Sequence, residues 1–318
     1  MQLRRWQWKL KHRGSISLCM IMKNEEKLLR RCLNSVQGLV DEIIIVDTGS
    51  TDKSIEIAKE FGAVVLSDPW QDDFARPRNI GLDRATKDWI LILDPDEVLA
   101  RKDHFKIREL TWLRRAIAIQ IETRNYTNHA NNQGFVPCKG AYDEEKGWIG
   151  WAPSTKTRLF RNGFGLKFVG RWHELVDYSV DAKKYPGIKA DVPVHHYEHE
   201  INQADVEEKK RFYLRMGEKK VADDLDNDQA WWELAVAEGI MGYNVRAIRS
   251  FRMSMRKGFA PAERLLAFVP VMMKCGDKKA SEFLFEKAMC KLSPQLTHLD
   301  ERLKKFEPLD PHFCKNNA

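Results

Sequence analysis

A chain of 318 residues, 43% hydrophobic and 31% charged, carries enough apolar material for one large or two ordinary domains with a real core. Its formal charge of +7 is modest and spread along the chain, which suits anionic partners without marking a nucleic-acid binder. No apolar run approaches the roughly 18 residues of a membrane span. The six cysteines form neither a CxxC pair nor a zinc-ligand spacing. The opening MQLRRWQWKLKHR is charged throughout and lacks the apolar centre of a signal peptide, so a cytoplasmic protein without a transmembrane segment is expected. The basic segment 1–14 is read as a solvated tail that can also rest on an anionic membrane surface.

SISLCMI (15–21) is short and apolar, the signature of a buried strand. Helical spacing follows at Leu28, Leu29, Cys32, Leu33 and Val36, and Gly38 stands where a helix C-terminus favours glycine. EIIIVDTGSTD predicts a second strand over 42–46 and a turn, with Thr51 or Asp52 capping the next helix. AVVL is a third strand, ARPRNIGLDRA a short helix and DWILIL a fourth strand. This rhythm predicts an α/β fold with parallel strands, joined by crossover helices and covered on both faces. Farther on, RAIAIQIET alternates and reads as a half-solvated strand, and residues 125–150 as a long polar lid or binding loop with Phe135, Tyr142 and Trp148. Asn162-Gly163 between two strand-like runs predicts a hairpin. The domain is expected to run over 15–203. From 204 to 318 the chain reads as helical, with two units spaced by about 34 residues, the period of tetratricopeptide repeats. Gly242 and Gly276 divide the helices of each unit, Phe251 corresponds to Phe285, and Trp231, Trp232 and Phe251 read as repeat core.

Ligands of such sheets bind at the carboxyl ends of the strands, and the unusual polar clusters sit there: Lys23-Asn24-Glu25, Asp47-Thr48-Gly49-Ser50, and Asp94 to Glu97. Neither GxGxxG nor GxxxxGK[ST] is present, so no glycine loop cradles phosphate. Carboxylates that hold a divalent ion are the alternative. In an extended segment Asp94 and Asp96 project to one side and can address one Mg2+ or Mn2+. His195-x3-His199 also has the spacing of a zinc pair on a helix, but Pro193 and the lack of a third ligand speak against it, and solvated histidines are the simpler reading.

The ordered blocks ISLCMIMKNEEKLLRRCLNSV, DEIIIVDTGSTDKSIEIAKEFGAVV, DDFARPRNIGL and DWILILDPDEVL resemble family 2 glycosyltransferases with the GT-A fold over residues 15–99. RLFRNGFGLKFVGRWHE and VPVHHYEH resemble a subgroup with RLF, HE and HY blocks, often followed by tetratricopeptide repeats, which includes bacterial core-sugar and peptide S-glucosyltransferase relatives. The resemblance implies an inverting, metal-dependent hexosyltransferase. It implies that Lys23, Asn24, Glu25, Asp47 and Thr48 line the pocket of a nucleotide sugar, UDP-glucose for example, with Arg78 and His173 meeting the donor. Asp94 contacts ribose or metal, Asp96 holds the Mn2+ or Mg2+, and His196 meets the diphosphate or metal. Glu174, beside His173, becomes the candidate base, with Asp143, Glu144 and Glu145 as substitutes. Pro95 departs from the family pattern, which has a small residue such as Ala there. The acceptor is left open among a glycan, a lipid-linked sugar, a peptide and a modified nucleobase. The helical region is expected to make protein contacts or self-associate. Two other readings compete: an inactive GT-A domain that serves as a binding module, and a nucleotidyltransferase, which KNEEKL does not fit.

Overall fold

The computed structural model describes residues 14–130, 134–171, 174–180, 187–197, 203–257, 262–274 and 278–292. The basic tail up to residue 13, His173, His199 and Gly276 lie outside them. Strands β1 (Ile16–Met22), β2 (Glu42–Asp47), β3 (Val64–Ser67) and β4 (Trp89–Ile92) alternate with helices α1 (Leu29–Val36), α2 (Ser54–Glu60) and α3 (Ala75–Arg84). The strands lie in the order β3-β2-β1-β4, every pair parallel.

All seven residues of β1 are buried, because helices cover both faces of the sheet. On one face Leu29, Cys32, Leu33 and Val36 of α1 join Leu18, Met20 and Ile45. On the other, α3 closes down at Gly81, where an added Cβ would sit 3.4 Å from Val46 Cγ2 and 3.9 Å from Cys19 Cβ. The side chain of Asp52 holds the start of α2 by accepting the Ser54 N–H (2.9 Å).

The sheet continues through β8 (Gly150–Arg161), β6 (Ala118–Thr127), β9 (Ile188–Tyr197) and β5 (Glu97–Val98), and β7 (Val136–Pro137) pairs with β8. A further helix, α4 (His104–Leu110), follows β5 in the chain. Strand β8 is antiparallel to both β4 and β6. This overturns the expected hairpin. Asn162 and Gly163 do turn the chain, with Gly163 at φ +78°, but both edges of β8 are already taken. The following run instead sends Leu166 and Phe168 into the core around α3.

The segment expected to be a lid is partly strand, since β6 runs to Thr127, and much of the rest is pinned. Buried Glu145 accepts the N–H groups of Lys139 (3.1 Å), Gly140 (2.7 Å) and Ala141 (3.2 Å) and pairs with Arg124 (2.9 Å). Trp148 packs on the buried cluster of Val98, Tyr126, Trp151 and Tyr197.

The second compact unit begins at Ile201 and contains α5 (Gln203–Asp223), α6 (Asp228–Ile240), α7 (Asn244–Lys257), α8 (Ala262–Lys274) and α9 (Lys278–Leu292). Asn227 caps α6 by accepting the Ala230 N–H (2.9 Å). The repeat spacing is real in the pattern of burial: Ala247, Ser250 and Ser254 are buried, and so are Ser281, Leu284 and Ala288, each 34 residues later. It fails at the aromatic pair. Phe251 is 2% exposed and stacks on Phe268 at 4.1 Å, whereas Phe285 is 49% exposed. Phe251 is covered by the next helix, and no helix after α9 is among the described residues to cover Phe285.

Phe251→Ala should therefore cost about 3–5 kcal/mol and Phe285→Ala within about 0.5 kcal/mol, read by urea denaturation of the full chain. Equal losses would show that the two positions are packed alike.

Candidate functional site

Strand β4 delivers its acidic end into a tight turn. The Glu97 N–H donates to the Asp94 carbonyl (3.0 Å), so residues 94–97 form a β-turn and not an extended segment. Pro95 occupies the second position, where a fixed φ is favoured and no N–H is needed. That accounts for the departure from the family pattern. Glu97 turns inward: its Oε2 accepts the Asp94 N–H (2.8 Å), and both its oxygens accept from Arg158, at 2.8 and 2.5 Å. Burial pushes Glu97 upward, with Asp94 and Asp96 adding to that, against the pull of Arg158.

Helix α3 points Arg78 at this turn. Its Nη2 donates to Asp94 Oδ1 (2.8 Å) and its Nε to Glu174 Oε1 (2.7 Å). Burial disfavours both charges of the Arg78–Asp94 pair, but the partners outweigh it: Arg78 is raised, and Asp94, with Arg158 also near, is held well below the usual carboxylate range. Nη1 of Arg78 is buried without a hydrogen-bond partner among the described residues.

Asp96 meets His196, with Oδ2 3.1 Å from Nε2. The other ring nitrogen lies 2.9 Å from Asn125 Oδ1, an acceptor, so Nδ1 carries a proton toward it. Burial opposes charge on His196, but the Asp96 hydrogen bond outweighs it and raises the pKa. Oδ1 of Asp96 is buried with no partner among the described residues.

Because β9 is a strand, His195 faces away from His196. It is fully buried, 2.7 Å from the Tyr126 hydroxyl, and burial pushes it down to about 3, so it is neutral. Neither a solvated His195 nor a helical zinc pair survives.

No three His, Cys, Asp or Glu side chains among the described residues form a complete metal cage. The donors still suit a hard divalent ion. Asp96 offers an unpartnered oxygen, and with Nδ1–H held by Asn125 a neutral His196 presents the Nε2 lone pair on the same side. Mg2+ and Mn2+ ordinarily complete their coordination with phosphate and water.

Residues 17–120, from β1 through the turn and into β6, match the glycosyl transferase family 2 model. The chain carries a family 2 glycosyltransferase domain. It is 39% identical over 167 residues to a TPR repeat-containing protein of Synechococcus elongatus, covering 52% of this chain and 36% of that one. It is 28% identical over 162 residues to the SPbeta prophage-derived glycosyltransferase SunS of Bacillus subtilis, covering 50% and 34%. The chain thus spans about a third of the length of these two relatives. A crystal structure of S. aureus TarS 1-349, in complex with UDP-GlcNAc, shares the fold at a TM-score of 0.50, with 13% identity and coverage of 93% and 95%.

At the other end of the rim, Lys23 and Asn24 are exposed. Asn24 takes φ +56°, and its Oδ1 accepts the Thr51 N–H (2.7 Å). Glu25 is pushed up to about 7, by burial first and then by Asp96, Asp94 and Asp52. Asp47 and Thr48 are buried and engaged with backbone: Asp47 accepts the Gly49 and Ser50 N–H groups, and the Thr48 hydroxyl donates to the Met22 carbonyl. They shape the 47–50 turn. Sequence reasoning missed Arg158 and Asn125, which touch Glu97 and His196. Arg158 stood in the quoted RLF block, but nothing in a block of sequence names a partner about 60 residues away.

Of the bases considered, Glu174 alone touches the rim arginine. Asp143 is 88% exposed at its side chain and paired with Lys146 (2.8 Å). The Glu144 carbonyl holds the Tyr197 hydroxyl (3.1 Å), and Glu145 is consumed by the loop it pins.

Glu145→Gln should speed proteolytic nicking of the 138–147 loop and lower stability by about 1–3 kcal/mol, because three loop N–H groups lose a charged acceptor and half-buried Arg124 keeps only the longer pair with Glu122 (3.9 Å). Asp143→Asn should leave nicking and stability as in the wild type. The pinned loop is refuted if both variants are cut at the same rate.

Proposed function

We propose that this chain is an inverting, metal-dependent glycosyltransferase that uses a nucleotide sugar, with a uridine diphosphate donor favoured. One observation carries the reading. Among the described residues, the rim around Asp94 holds a buried N–H without an acceptor, Arg78 Nη1, and a buried carboxylate oxygen without a donor, Asp96 Oδ1. A site that asks for an anion and a cation together fits a metal–diphosphate. The uridine choice is supported by the TarS fold neighbour, solved with UDP-GlcNAc.

Asp96 and His196 would hold the divalent ion, which when bound offsets charge developing on the leaving diphosphate. Arg78 donates to a diphosphate oxygen through Nη1, in a setting where burial strengthens the contact. Asp94, kept ionised by its arginines, accepts from a ribose or sugar hydroxyl. Lys23, Asn24 and Glu25 face the nucleoside over the turn that Asp47 and Thr48 shape. Glu174 takes the proton from the acceptor hydroxyl as that oxygen bonds to the anomeric carbon and the diphosphate departs from the opposite face.

Donor hydrolysis measured across a panel of nucleotide sugars, with Mn2+ or with chelator, tests this. Turnover should need the metal. Asp96→Asn should weaken Mn2+-dependent nucleotide binding at least roughly tenfold. Glu174→Gln should keep donor binding and slow transfer by about 10²–10⁴-fold. If no donor binds or turns over and Asp96→Asn changes nothing, the enzyme reading fails.

A further inference from the structure

We infer that Arg158 is a positioning residue: delivered by a bulge in β8, it clamps Glu97 and through it fixes the Asp94–Glu97 turn that carries the rim carboxylates. The inference rests on the proposed glycosyl transfer for its purpose, though not for its geometry.

The bulge is visible in the register. Ile119 of β6 faces Leu159 of β8, yet the next residue, Gln120, faces Thr157, which leaves Arg158 as the extra residue on β8. An inserted residue breaks the pairing and re-aims its side chain, and bulges gather beside active sites for that reason. Here it turns a long cation into the interior. The Arg158 side chain is 3% exposed, as is that of Glu97.

Burying both ions is unfavourable unless every contact is good. Most of them are: Arg158 makes a two-point bond to both Glu97 oxygens and a third contact from Nη2 to Thr123 Oγ1 (3.3 Å), while its Nε is buried without a hydrogen-bond partner among the described residues. Apolar pairs of similar volume often fill such places without loss of stability, so burial alone does not explain the ions. Their geometry does. Glu97 Oε2, held by Arg158 Nη1, also accepts the N–H of Asp94, and Arg158 Nη1 lies 3.8 Å from Asp94 Oδ2. The bulge, the guanidinium, the Glu97 carboxylate and the Asp94 backbone therefore form one connected support. It sets the backbone of the turn from beneath, while Arg78 meets the Asp94 side chain from α3.

The test replaces both ions at once, Arg158→Met with Glu97→Leu, so that no charge is left buried alone. Two readouts are taken on the full chain: hydrogen exchange by segment, and calorimetric binding of UDP with Mn2+. Exchange over 91–98 should quicken by roughly tenfold while 16–22 and 42–47 stay as in the wild type, and UDP affinity should fall by roughly 10–100-fold. Arg158→Lys, which keeps the charge but loses the two-point bond, should fall between. The inference is overturned if affinity stays within about twofold, whether or not the turn loosens. It is also overturned if exchange rises equally in all three segments, since Arg158 would then serve the whole fold and not the turn. If the wild type binds no UDP with Mn2+, the donor reading fails, and the exchange of 91–98 against the other two segments still decides the role of Arg158.

Discussion

Asp94 is a part-buried carboxylate just past a strand buried on both faces, and partial burial favours a carboxylate that has cations beside it. It finds Arg78 at 2.8 Å, with Arg158 at 3.8 Å. Much of the site's arrangement follows. Arg78 spans the gap between α3 and the chain beyond β8, because the same guanidinium also takes Glu174. The candidate base is therefore tied to the donor rim through one arginine, and whatever draws Arg78 toward a phosphate alters the setting of Glu174.

The second carboxylate solves the same problem differently. Asp96 has no arginine within ion-pair reach among the described residues. Its neighbour is a histidine whose far nitrogen is fixed by Asn125. A proton on His196 answers the charge of Asp96, and a divalent ion held there would answer it in the same way. Two aspartates separated by a single proline thus face different chemistry: one is met by permanent cations and the other by a group that can lose its proton. Pro95 keeps them at adjoining corners of one turn.

The second half of the domain exists, in physical terms, to hold these groups from the side opposite the parallel strands. Strand β9 brings His196 and β8 brings Arg158, while β6 brings Asn125 and Thr123. The aromatic cluster under the 136–149 loop, with neutral His195 bonded to Tyr126, holds the rear of β9 in place. The amide of Tyr197 then donates to the Asp96 carbonyl (3.2 Å), which couples that packing to the turn.

The alternation of apolar runs, helical spacing and glycine stops from Ser15 to Leu99 determined by itself the parallel half of the sheet, the rim position of the polar clusters and the acidic turn. Each of those signals is local: period, cap and turn chemistry act within a few residues. What it could not determine was every feature set by contacts distant in the chain. The Asn162-Gly163 hairpin failed because β4 and β6 already bordered β8, a matter of strand order. His195 read as a solvated histidine until β9 formed and turned it inward, opposite to His196. Glu145 looked like a free acid until its loop wrapped around it, and Glu97 like a turn residue until the bulge in β8 aimed Arg158 at it. Charge and residue type were legible from the chain. Which charge meets which was decided only by the tertiary structure, because ion pairing in a buried site depends on distances of a few ångströms between segments that the sequence holds far apart.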